Sequence, residues 1–97
     1  MAYVGYEQIA VTSTVKNMSH LTMPSGATHA EIQADTQNVR YTMDNKVVPA
    51  QAIGMIFLVT EPPKSFSVAD IRHIHFVRGA GSDGVLNIHY FGGRKDL

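Results

Sequence analysis

No cysteine occurs in the 97 residues, so disulfide staples and thiolate metal sites are both excluded, and the fold has to stand on packing or on partners. Charge is sparse as well. Only 16% of the residues are Asp, Glu, Lys or Arg, with acids and bases in equal number, which leaves a formal net charge of zero. A chain without a basic field has little with which to displace counterions from phosphates, and this argues against nonspecific nucleic-acid binding. Zero net charge also does little to keep copies apart, a property that suits a subunit of an assembly better than a concentrated free monomer. Long apolar runs are missing too. The longest, Gly54 to Val59, falls well short of the roughly 18 residues of a membrane span. The opening MAYVGYEQIAV lacks a basic segment followed by a sustained apolar run, so neither membrane insertion nor secretion is expected. No segment repeats at a fixed period or is low in complexity.

What the sequence does have is alternation. From Tyr6 to Val15, Ile9, Val11 and Val15 fall on one side of an extended chain and Tyr6, Gln8, Ala10 and Thr12 on the other. Between Gly26 and Met55, Ala30, Ile32 and Ala34 alternate with His29, Glu31, Gln33 and Asp35, and Val39, Tyr41 and Met43 alternate with Arg40, Thr42 and Asp44. Such patterns mark strands with one face in a core. The stretch 16–26, with Asn17, Pro24, Ser25 and Gly26, reads as turns, and 45–51 reads as a loop. GMIFLVT, from Gly54 to Thr60, predicts a strand buried on both faces or one whose free face a partner covers. Pro62 and Pro63 must end it, because each fixes φ and removes a ladder donor. Ser67 is placed to cap a single helical turn reaching Asp70. IRHIHFVR, 71–78, and VLNIHYF, 85–91, joined by GAGSDG, predict a hairpin, and Gly92 to Leu97 reads as a flexible polar tail. Six to seven strands at this spacing predict an all-β fold, a small antiparallel β-sandwich or jelly roll, in one domain covering 1–97.

Chemistry-bearing constellations are few. His73 and His75 lie two apart and would share a strand face, and across the predicted hairpin His89 would stand opposite one of them. Three imidazoles on one outward face could ligate zinc or another divalent ion, which makes His73, His75 and His89 the candidate metal ligands. The H-x-H pair is similar to one fragment of the cupin metal motif. The acidic residue expected a few positions later is absent, however, and Arg78 near that place works against a cation, so neither metal nor cofactor is expected. No G-x-S-x-G elbow occurs, GAGSDG lacks the Lys of a phosphate loop, and Glu7, Glu31 and Glu61 are dispersed. No catalytic residue is assigned and the chain reads as a non-enzyme. His29, Glu31 and Gln33, which share the outward side of one strand, are the candidate partner contacts.

The order G-A-x-x-A-x-I-Q, N-V-R-Y, P-x-x-x-x-G-M is carried here by Gly26, Ala27, Ala30, Ile32, Gln33, Asn38, Val39, Arg40, Tyr41, Pro49, Gly54 and Met55. It resembles small virion structural proteins of tailed bacteriophages, and the similarity runs from Gly5 to Phe91. The resemblance implies a structural part of a particle: a capsid decoration or cement protein, made in the host bacterial cytoplasm and carried in the virion. Its implied partners are the major capsid protein or other virion subunits, in a homo-oligomer or a lattice-associated form, with no nucleic acid and no membrane. A tail, baseplate, adaptor or head-fibre subunit is implied as the alternative, and the histidines by themselves would speak for a cupin-like metal-dependent enzyme.

Overall fold

A computed structural model of the chain describes residues 2–43, 53–79 and 81–92. Among them are eight strands: β1 (Ala2–Val11), β2 (Lys16–Asn17), β3 (Ala27–Asp35), β4 (Val39–Thr42), β5 (Met55–Phe57), β6 (Lys64–Ser67), β7 (His75–Arg78) and β8 (Gly84–Gly92). A 3-10 turn, Met18–His20, follows β2, and one short helix, α1 (Val68–Ile71), follows β6. Six to seven strands were expected. The additional ones are β2, which at two residues is too short to alternate, and β6, whose KSFS follows the double proline and has one large apolar side chain.

The strands form two antiparallel sheets of four, in the order β1-β8-β3-β6 and β2-β7-β4-β5. Four of the pairings are β1 with β8, β2 with β7, β3 with β6 and β4 with β5, and the pairs β8 with β3 and β7 with β4 complete the sheets. One apolar cluster draws on both sheets. Val11, Ala30, Ile32, Ala34, Leu86, Ile88 and Tyr90 come from the first, and Val39, Tyr41, Phe57 and Phe76 from the second. Ile71 of α1 and Ile74 of the following turn close one side of it. Alternation therefore predicts the core-facing residues correctly from Glu7 to Val11 in β1, from His29 to Asp35 in β3, at Val39 and Tyr41 in β4 and along β8, whereas Thr42, expected to face outward, is buried.

Local chemistry sets the boundaries. Pro24 to Ala27 is a turn in which the Ala27 N–H donates to the Pro24 carbonyl at 3.2 Å, and Gly26 takes φ 86°, the left-handed value that its position demands of glycine. The expected cap is present: Ser67 Oγ accepts from the Asp70 N–H at 3.3 Å and starts α1. Three expectations are corrected. The first strand begins four residues early, at Ala2, and ends at Val11, leaving Val15 outside it. GMIFLVT yields only Met55–Phe57, and this is an edge strand with Met55 exposed rather than a strand buried on both faces. Continuous hydrophobicity here reflects an apolar edge. The polar tail begins one residue too soon in the sequence reading, since Gly92 is a buried part of β8; residues 93–97, like the loop expected over 45–51, lie outside the described residues.

The predicted hairpin is also overturned. β7 and β8 lie in different sheets, so the connection through Gly79 and Asp83 passes from one layer to the other. Sequential strands with a glycine-rich link usually pair, but here each strand is sandwiched between two others: β8 fits between β1 and β3, and β7 between β2 and β4. Gly79 is needed at the exit of β7, because its N–H donates to the Asn38 carbonyl at 2.8 Å and a Cβ there would stand 2.8 Å from that same oxygen. Arg78 Nη1 donates to Asp83 Oδ1 at 2.9 Å and holds the link together.

Candidate functional site

Moving β7 into the second sheet dissolves the histidine cluster. His75 lies opposite Thr42 and Asn17 in that sheet, on the side away from Phe76 and the core, and His73 sits in the turn after α1. His89 lies opposite Tyr6 and Glu31 on the outer side of the first sheet. The core thus separates His89 from His75. Among the described residues no three His, Cys, Asp or Glu side chains come together in a way that could hold a metal ion. The Nδ1 of His75 is enclosed and has no hydrogen-bond partner among the described residues.

His29, Glu31 and Gln33 do share a face, as alternation predicts. They stand on the outer side of β3, opposite Phe91, His89 and Asn87 of β8. Around them the sheet gathers a set of side chains that alternation does not predict. Tyr3 and Tyr6 differ by an odd number of residues and should face opposite ways. A β-bulge at Val4 puts Tyr3 opposite Phe91 while Tyr6 stands opposite His89, so both rings turn outward. Tyr3 is 59% and Tyr6 49% exposed. The rings form a continuous group, with centroids 5.1 Å apart for Tyr6 and His89, 5.6 Å for Tyr3 and His89, and 6.3 Å for Tyr3 and Phe91, mostly edge to face. A second bulge, at Thr28, faces β8 from its other side and turns Ala27 toward the core beside Ala30.

Beside Phe91 the face dips into a shallow recess of about 220 Å³ lined by His29, Glu31, Ser65 and Phe91. Glu31 lies between His89 on β8 and Ser65 on β6. The bulged Thr28 hydroxyl sits 3.3 Å from the Phe91 carbonyl and 2.9 Å from His29 Nδ1. The consistent assignment has Nδ1–H donating to Thr28 Oγ1 and the hydroxyl donating onward to the carbonyl, which leaves His29 Nε2 as an acceptor. Glu31 and Ser65 have no hydrogen-bond or ion-pair partner among the described residues. Next to the tyrosines, Asn87 Oδ1 accepts from Tyr6 Oη at 2.8 Å and from Gln8 Nε2 at 2.9 Å.

The one carboxylate of β1, Glu7, lies on the inner side of the sheet. Glu7 accepts from the Thr22 N–H at 2.8 and 3.1 Å and from the Tyr90 hydroxyl, joining β1, β8 and the loop before β3. Burial, reinforced by Glu7, raises the Tyr90 phenol above its ordinary tyrosine value. No helix among the described residues is long and apolar enough to cross a membrane.

Comparison with protein-family models, with known proteins and with solved structures finds no match.

Proposed function

We propose that the chain is a non-enzymatic structural component of a tailed-bacteriophage virion, built as a jelly-roll β-sandwich, and within that class a capsid decoration or cement protein. The strand order supports the frame: a ribbon pairing first with eighth, second with seventh, third with sixth and fourth with fifth, folded over into two sheets, is the jelly-roll arrangement. One observation carries the particle reading. Several residues of the virion-like pattern meet within the fold: Arg40 Nη1 donates to the Gly54 carbonyl at 3.0 Å, Tyr41 stands opposite Met55, and Ala30, Ile32, Val39 and Tyr41 are all core.

Docking falls to the apolar edge of the second sheet. Ile53, Met55 and Val59 are 51%, 63% and 41% exposed around edge strand β5, and aliphatic and methionine side chains are what the core of a protein interface uses. The partner in this reading is the assembled coat lattice. Sedimentation of the purified protein with expanded empty shells and with unassembled coat protein tests it, the expected result being binding to shells alone and its loss in Met55→Glu with unchanged melting. Equal binding to both, or to neither, overturns the reading; co-purification with tails moves the protein to a tail or adaptor role.

A further inference from the structure

We infer that the outer face of the β1–β8–β3–β6 sheet binds a neutral glycan, with one sugar ring seated over Phe91 in the recess between His29, Glu31 and Ser65. This face is separate from the β5 edge, and the inference does not depend on which particle, if any, carries the protein.

Composition decides the ligand class first. The outward positions of the four strands hold Tyr3, Tyr6, His89 and Phe91 together with the amides of Gln8, Gln33 and Asn87, and they include no Lys or Arg. Phosphorylated, sulfated or nucleic-acid ligands would meet Glu31 and Asp35 with no cation to offset them. A protein interface also draws on aromatic rings, but it sets methionine and arginine among them, and neither faces out from the described residues of these strands, whose outward aliphatics are Val4 at the bulge, Ala10 and Val85. Aromatic rings interleaved with amides suit a ligand that alternates C–H faces with hydroxyls. The electron-rich ring face attracts the weakly positive C–H groups of a sugar, and the amides both donate and accept.

The recess then defines a subsite. Its 220 Å³ lies below the roughly 300–1,000 Å³ of clefts that hold drug-sized ligands, which limits it to a unit of about one ring. Phe91 supplies an apolar wall. Glu31 carboxylate and His29 Nε2 offer acceptors, and the Ser65 hydroxyl offers both roles; Glu31 and Ser65 have no partner among the described residues. An acceptor-rich pocket beside an aromatic ring is matched by neighbouring hydroxyl donors on one pyranose. From there the exposed rings of Tyr3, His89 and Tyr6 extend the platform across β8 to β1, so a chain of sugars can follow it.

The test is an amide-resolved NMR titration of the whole chain with tetrasaccharides of glucose, galactose and N-acetylglucosamine, with heparin and choline as anionic and cationic probes. At least one neutral tetrasaccharide is expected to give saturable shifts centred on residues 3, 6, 29, 31, 65, 89 and 91. Tyr3→Ala, at an exposed position, and Glu31→Gln, which keeps the shape of the side chain, should each weaken it by about tenfold or more without moving the melting curve. Phe91→Leu keeps an apolar wall but no ring and should weaken it comparably. The inference is overturned if no neutral tetrasaccharide shifts these residues, if heparin or choline occupies them instead, or if the variants bind as the parent does. Protection of this same face by assembled coat shells also overturns it.

Discussion

Tyr90 on β8 donates its buried hydroxyl to the carboxylate of Glu7 on β1, which in turn accepts the Thr22 N–H, so one side chain satisfies two donors that belong to different parts of the chain. The pairing is structural, at the inner side of the sheet. Removing it by Glu7→Ala strands the phenol and the backbone N–H together, and the expected cost is about 2 to 4 kcal/mol. Tyr90→Phe should cost less, about 1 to 2 kcal/mol, because the half-buried carboxylate keeps the Thr22 bond. In urea melts, the double variant should be less unstable than the sum of the singles; strict additivity would mean that the two groups do not interact.

The same contact gives an alkaline signature. The folded Tyr90 phenol holds its proton above the ordinary tyrosine range, whereas in the unfolded chain it loses that proton near pH 10. The stabilisation is therefore complete below about pH 10 and is lost as pH rises beyond it, at up to about 1.4 kcal/mol per pH unit. Chemical denaturation between pH 8 and pH 11, taken as roughly this window, should show that decline in the parent and a flatter profile in Tyr90→Phe. Parallel profiles would remove Tyr90 as its source.

Much of the frame was legible in the sequence because period-two alternation is a local signal. Ile32, Tyr41 and Leu86 are core for the reason that their neighbours are not. Pairing partners are a different matter. IRHIHFVR and VLNIHYF are two good strand segments with a good turn between them, and only the prior claim of β1 and β3 on both edges of β8 sends β7 to the other sheet. That competition is not written in either segment. The site followed the same division. His29, Glu31 and Gln33 were readable from alternation, but Tyr3 joins them through a bulge that breaks the parity rule, and Ser65 and Phe91 through cross-strand registers set by the fold.

Thr36, between β3 and β4, has φ 67°. A β-branched residue in the left-handed region is strained by about 1 to 2 kcal/mol. The position is held by the tight turn in which the Gln37 N–H donates to the Asp35 carbonyl at 2.8 Å. Thr36→Asn and Thr36→Gly, which tolerate this conformation, should raise stability by about 0.5 to 1 kcal/mol, asparagine by at least as much as glycine because it restricts the unfolded chain more. A fall in melting temperature for both would show that the threonine side chain is worth more there than the strain it carries.

Ile32 tests the register on which the site depends. It is 1% exposed, with Ala30 and Ala34 on the same face of β3, and it lies opposite Ile88 of β8. Small neighbours let the facing sheet approach closely, so the hole left by truncation has no side chain long enough to refill it. Ile32→Ala should cost about 2 to 5 kcal/mol, a large part of the roughly 5 to 15 kcal/mol that a domain of this size commands. Gln33 points the other way and makes one long contact, 3.5 Å from its Nε2 to the Glu61 carbonyl, so Gln33→Ala should stay within about 0.5 kcal/mol. Guanidinium melts of the two variants separate the outcomes. If Ile32→Ala unfolds like the parent while Gln33→Ala is severely destabilised, β3 is shifted by one residue, and a shift of one would turn His29 and Glu31 into the core and take the recess beside Phe91 apart.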